Sequence, residues 1–205
     1  HQLTATDLEL WRGDRCLFTG LNLSVRAGEL LQVTGANGSG KTSLLRVLTG
    51  LSVPETGEVL WNDRSIGRAR ADYQAAMGYV AHRDGHYDDL TLAQNLAWGA
   101  GLHADVDGAA VDQTLTELRL NHVAEVPAYA LSAGQKRRLS LARLSMSQKQ
   151  LWIMDEPLAN LDVDARAWCD GLIGAHIGRG GSVIATSHQP LCEGAGTRRE
   201  VELAG

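Results

Sequence analysis

The sequence predicts an α/β fold built around a mostly parallel sheet. Three observations carry that prediction. Apolar, strand-like runs alternate with segments of helical period along the 205 residues. A glycine-rich loop at residues 35–42 stands between one such strand and a helical run. A longer helical stretch, from Leu90 to about Leu120, interrupts the alternation as an insert between two halves of the core.

The elements follow in order. LTATDLELW alternates loosely and CLFTGLNLSV alternates better, with a turn at Gly13 between them. After a second turn at Ala27 and Gly28, ELLQVTG is a short apolar run stopped by Gly35. TSLLRVLTGL repeats apolar residues at helical spacing and closes at Gly50, and GEVLW and GYVAH read as strands. In the insert, Thr91 and Gln94 have the spacing of a capping box ahead of LAWGAGL, and AAVDQTLTELRL is helical in period. Ser132 and Gln135 repeat the capping spacing at the head of a basic, Leu-rich helix. LWIM is a buried-type run ending in Asp155 and Glu156; a helix over DARAWCDGLIGAHI, the strand SVIATS followed directly by His188, and a last strand RREVEL complete the core. In such a sheet, ligands bind at the carboxyl ends of the strands.

Composition narrows the function. The length suits one domain with an inserted subdomain. Nineteen Lys and Arg against 24 Asp and Glu give a net charge of −5, which argues against a dedicated nucleic-acid binder. Cys16, Cys169 and Cys192 form no CxxC and are odd in number, so neither a disulfide framework nor a zinc site is signalled, and a reducing cytosol is the expected home. HQLTATDLEL lacks the basic start and apolar core of a secretion signal, and no run of about 18 apolar residues occurs, so a membrane role has to come through a partner.

Gly35-Ala36-Asn37-Gly38-Ser39-Gly40-Lys41-Thr42 fits G-x-x-x-x-G-K-[ST] at every fixed position, and Ser43 continues into the helix. The glycines let backbone N–H groups of Asn37, Gly38, Ser39 and Gly40 face phosphates, and the following helix start adds a favourable dipole. Lys41 then reaches the β- and γ-phosphates and the Thr42 hydroxyl binds Mg²⁺. A solvated lysine on a plain turn is the alternative, but it leaves the remaining NTPase parts, present downstream in order, unexplained. Asp155, delivered by the apolar strand, serves the magnesium side; Glu156 stands where it orients and deprotonates water. His188, at the same sheet edge, is placed to contact the γ-phosphate. His86, His103, His122 and His176 have no such context and read as ordinary histidines.

A second phosphate-seeking element follows. The helix start at Ser132 exposes N–H groups, so that Ser132, Gly134 and Gln135 suit a terminal phosphate. A capped helix that binds nothing is the plain alternative. LSAGQ ahead of LWIMDE in a chain with GANGSGKT resembles one family, the ATP-binding-cassette ATPases, over nearly the whole length. GANGSGKT is then Walker A, LSAGQ the signature, LWIMDE Walker B, NLD ending at Asp162 the D-loop, and His188 the switch histidine. The resemblance implies the P-loop fold of those ATPases: an N-terminal antiparallel β subdomain on the core, residues 1–82 and about 150–205, and a helical signature subdomain at about 83–149. It also implies a head-to-tail dimer in which Ser132 and Gly134 of one copy close over ATP on the other. Trp11 falls where the family stacks an aromatic on adenine, with a buried strand tryptophan as its competitor. His82 occupies the lid position, where the family usually has glutamine, and is expected near the metal with Thr42 and Asp155.

Within the family the chain is similar to the ATP-binding subunits of the haem exporters of cytochrome c maturation. GELLQVTGANGSGKTSLLRVLTGL, GEVLW, His82, LSAGQKRRLSLARL and GGSVIATSHQPL carry that likeness, while Asn160 in DEPLANLD departs from it. The resemblance implies an Mg²⁺-dependent ATPase, peripheral on the cytoplasmic side of the bacterial inner membrane beneath separate permease subunits and working with a haem chaperone. No CxxCH or other haem motif occurs in the chain. A cassette for another cargo, such as lipoprotein release or metal uptake, shares the same core, and a soluble non-transport cassette is a third reading.

Overall fold

The architecture is seen in a computed structural model, which describes residues 1–82, 85–101, 108–192 and 197–203. The first two strands, β1 (Gln2–Arg12) and β2 (Arg15–Arg26), form an antiparallel hairpin. With β4 (Thr56–Trp61) and β5 (Arg64–Ser65) they build a four-stranded antiparallel sheet in the order β2-β1-β4-β5. The second sheet is parallel throughout, in the order β6-β7-β8-β3-β9, from β3 (Glu29–Gly35), β6 (Met77–Val80), β7 (Leu151–Asp155), β8 (Ser182–Thr186) and β9 (Thr197–Leu203).

Burial alternates across this sheet with the period of the pleat. Leu151 and Ile153 of β7 face a cluster shared with the antiparallel sheet and with helix α1 (Lys41–Leu48). Trp152 and Met154 face the opposite way, against helices α5 (Ala133–Met146) and α6 (Val163–Gly178). The strand has to be apolar on both faces, which is why LWIM reads as a continuous run rather than an alternation.

The helical insert has a core of its own. Helices α3 (Leu92–Gly101) and α4 (Gly108–Glu117) pack Leu92, Leu96, Val111 and Leu115 against Leu139 and Ala142 of α5. Both expected capping boxes form. Thr91 N–H donates to Gln94 Oε1 at 2.9 Å and Gln94 N–H to Thr91 Oγ1 at 3.2 Å. At α5 the corresponding bonds between Ser132 and Gln135 are 2.8 and 3.2 Å.

Two features differ from the sequence expectation. Strand β6 ends at Val80 rather than running through His82, because the Ala81 carbonyl accepts a hydrogen bond from the Arg137 guanidinium at 2.8 Å. Between β5 and β6 lies an unpredicted short helix, α2 (Arg70–Ala76), anchored by Tyr73, whose buried hydroxyl donates to the Leu48 carbonyl at 2.6 Å. Seven residues with one buried side chain give no readable period.

His176 is an ordinary core histidine, as expected. It is buried and stacks flat on Trp152, with ring centroids 3.7 Å apart. Burial lowers its pKa from 6.5 to about 4. The unfolded chain therefore takes up a proton below about pH 6.5 that the folded chain refuses until about pH 4, so stability falls with pH across that window. His86 lies 3.5 Å from the Ser140 hydroxyl, and His103 falls outside the described residues. Urea unfolding of His176→Phe should lose less stability than the parent between pH 6.5 and 4. Parallel losses in the two proteins would assign the pH dependence to other groups.

Candidate active site

Strand β3 lies between β8 and β9 and delivers the glycine-rich loop at its carboxyl end. The loop depends on glycine where the backbone is forced. Gly40, the residue before α1, has φ 100°, a left-handed conformation closed to ordinary side chains, and a Cβ there would stand 3.1 Å from Leu17. At Gly35, with φ 139°, a Cβ would meet the Leu203 carbonyl oxygen and Ser39 Oγ at 2.7 Å. Lys41 is buried at the loop, its ammonium donating to the carbonyls of Gly35 at 2.8 Å and Ala36 at 3.1 Å. Ser39 is also buried, and its hydroxyl has no hydrogen-bond partner among the described residues.

Strand β7 brings its carboxylate to the same place. Asp155 is 1% exposed. Thr42 Oγ1 donates to its Oδ2 at 2.8 Å and Thr186 Oγ1 donates to its Oδ1 at 2.7 Å. Thr186 also accepts from the Glu156 N–H at 2.8 Å, so one hydroxyl fixes both the acidic side chain and the next backbone unit. Glu156 itself has φ 50°. The left-handed region costs a non-glycine residue roughly 1–2 kcal/mol, which the surrounding bonds have to offset. Its Oε1 lies 3.4 Å from His188 Nε2.

Gly40, Lys41, Thr42, Asp155, Glu156 and His188 line one cavity of about 620 Å³, together with Asn37, Gly38, Ser43 and His82, whereas Gly35, Ser39 and Thr186 stand behind it. That size suits a nucleotide-scale ligand. One part of the wall is basic, from Lys41, Arg12 and Arg15; another is acidic, from Asp155 and Glu156. Trp11 is not a buried strand residue: it is 45% exposed, and its indole N–H donates to Glu9 at 2.6 Å. It stands on the hairpin next to the lining residue Arg12 without lining the cavity itself. Ser132, Gly134 and Gln135 of the same chain do not line the cavity either. Gly134 instead packs where a Cβ would come within 2.6 Å of the Asn160 carbonyl. Asp162 caps α6 by accepting from the Ala165 N–H at 2.8 Å and lies 3.7 Å from Arg138.

The arrangement combines a glycine-dependent loop, a buried lysine, a hydroxyl beside a buried carboxylate, and a second carboxylate next to a histidine. A family model described as ABC transporter matches residues 18–159, which runs from before the phosphate loop to beyond Glu156. The chain belongs to the ABC transporter family. The cytochrome c biogenesis ATP-binding export protein CcmA of Nitrosomonas europaea is 46% identical over 93% of this chain and 90% of its own length. Its counterpart in Methylococcus capsulatus is 46% identical over 92% of each chain, and one from Salmonella paratyphi A is 42% identical over 99% and 97%. Among solved structures, an ATP-binding subunit of an ABC transporter superposes with a TM-score of 0.82 at 21% identity, covering 92% of this chain and 80% of that one. An ABC transporter ATP-binding protein from Pyrococcus furiosus superposes with a TM-score of 0.83 at 20% identity, covering 98% and 97%; both establish the fold. The chain is accordingly an ABC-type ATPase that binds ATP. Among the described residues no helix is long and apolar enough to cross a membrane.

Sequence reasoning passed over Thr186, Arg12 and Arg15. Thr186 had a signal, a hydroxyl at the carboxyl end of a strand in a parallel sheet; the two arginines on an exposed hairpin had none. Thr186→Val removes the bonds to Asp155 and from Glu156 together. ATP turnover should fall by about tenfold or more, with roughly 1–3 kcal/mol lost in denaturant unfolding. Unaltered turnover would show that this bridge does not set the site.

Proposed function

We propose that the chain is the Mg²⁺-ATP-hydrolysing subunit of a membrane complex for haem export, or release of the loaded haem chaperone, in cytochrome c maturation. The observation that carries the catalytic half is the buried Asp155 held at 2.8 Å by Thr42, with Glu156 and His188 alongside. The export role is supported by the CcmA relatives, which cover nearly the whole chain.

The residues divide the chemistry. Backbone N–H groups of Asn37, Gly38, Ser39 and Gly40 and the Lys41 ammonium bind the β- and γ-phosphates, with Ser43 at the helix start. Trp11 stacks on adenine. A divalent ion fits this donor set: Mg²⁺ takes hard oxygen ligands and is held by one or two carboxylates plus substrate phosphates, and Thr42 and Asp155 supply a hydroxyl and a carboxylate 2.8 Å apart. His82, on the cavity wall, serves the lid position. When bound, the ion neutralises charge on the phosphates. Glu156 orients a water for in-line attack on the γ-phosphorus and takes its proton as the bond to the bridging oxygen breaks, leaving ADP and phosphate. His188, 3.4 Å from Glu156 on the cavity wall, contacts the γ-phosphate.

Ser132, Gly134 and Gln135 lie away from their own chain's cavity, which supports their use on a second copy. The catalytic unit is then a head-to-tail dimer, with Asp162 in the D-loop between the two sites. It docks on permease subunits at the cytoplasmic face of the inner membrane, and haem specificity resides in those partners.

One preparation tests both halves of the reading. Glu156→Gln, isolated with its native membrane partners, should retain ATP while turning over about 10²–10⁴ more slowly, and haem-export subunits with the haem chaperone should copurify. Normal turnover would move the base elsewhere, and an unrelated permease in the eluate would retire the haem assignment.

A further inference from the structure

One turn beyond the capped Ser132, helix α5 buries an arginine that the catalytic scheme has not used. Arg137 is 3% exposed. Its Nη2 donates to the carbonyls of Asp155 and, at 2.8 Å, Glu156. Its Nε donates to the Pro157 carbonyl at 3.4 Å, and Nη1 to the Ala81 carbonyl at 2.8 Å. Along an extended strand successive carbonyls point to opposite sides. The left-handed φ of 50° at Glu156 breaks that alternation where the three carbonyls 155, 156 and 157 gather on one cation.

A residue persists in that conformation only where its surroundings over-determine it. Here the rigid fork of one guanidinium bonds the carbonyl before, at and after the strained residue, something a flexible single-point ammonium does not reproduce. Another bond reaches Ala81, the neighbour of His82 on the cavity wall. One side chain therefore joins three segments: the helix that starts at Ser132, the chain entering the lid position, and the turn that aims the Glu156 carboxylate.

We propose that Arg137 is a positioning residue for hydrolysis, which holds the left-handed turn at Glu156 in the orientation needed for water attack and ties it to the signature helix. This rests on Glu156 acting as the base. A guanidinium that merely filled the core would affect folding, nucleotide binding and turnover together. A positioning role acts through Glu156 and disappears once that carboxylate is gone.

A double-mutant cycle in the full chain, isolated with its membrane partners, separates the two. Arg137→Gln should lower kcat by about 10²-fold, the scale of a small misplacement of a catalytic group, and leave KM within about threefold of the parent. Arg137→Lys, keeping the charge but not the fork, should fall between. Added to Glu156→Gln, either substitution should slow turnover no further. If Arg137→Gln does not fold, the Lys variant runs the same cycle. Losses that multiply in the double variant, with KM rising in parallel, would overturn the inference while leaving the base in place. A Glu156→Gln protein as fast as the parent would overturn both.

Discussion

The carboxylate of Asp155 is the constraint on which the site depends. It is almost wholly buried at the end of an apolar strand, and a charge there is tolerable only when it is hydrogen-bonded. Thr42 and Thr186 provide those bonds from the first turn of α1 and from the end of β8. The one acidic group thus joins two neighbouring strands of the parallel sheet to the first turn of α1 at the carboxyl edge of the sheet. Because Thr186 also accepts from the Glu156 N–H, the Glu156 backbone is tied to the same carboxylate.

Helix α5 extends this order towards the surface. Its start is preorganised by the capping box, with Ser132 exposed and Gly134 half-buried, and Gly134 lies so close to the Asn160 carbonyl that no side chain fits there. The same helix reaches inward through Arg137 to the Walker B carbonyls. The turn at Ser132, the chain at Asn160 and the end of β7 are therefore packed together, although the turn does not line its own chain's nucleotide cavity. A second copy arriving at the turn would act on a surface already connected to the other site.

Much of this was legible in the sequence. The continuous apolar run LWIM showed a buried strand and SVIATS a second strand, and the fixed glycines of residues 35–42 showed a phosphate loop because only glycine adopts the backbone needed at Gly35 and Gly40. Both capping boxes were readable because their partners are three residues apart. Features made by distant contacts were not. The end of β6 at Val80 depends on Arg137, 56 residues beyond Ala81, and the role of Thr186 depends on Asp155, 31 residues before it. Trp11 had no period to show whether it faced the core or solvent, and the structure exposes it.

The central claim is that one nucleotide is gripped by this acidic edge and by the signature turn of another copy. A crystal structure of the Glu156→Gln chain with Mg²⁺ and ATP tests it most directly. The account predicts Thr42 turned from Asp155 to the metal, and Ser132 and Gly134 of a second molecule on the γ-phosphate. ATP enclosed by one chain, with every signature turn facing solvent, would contradict it.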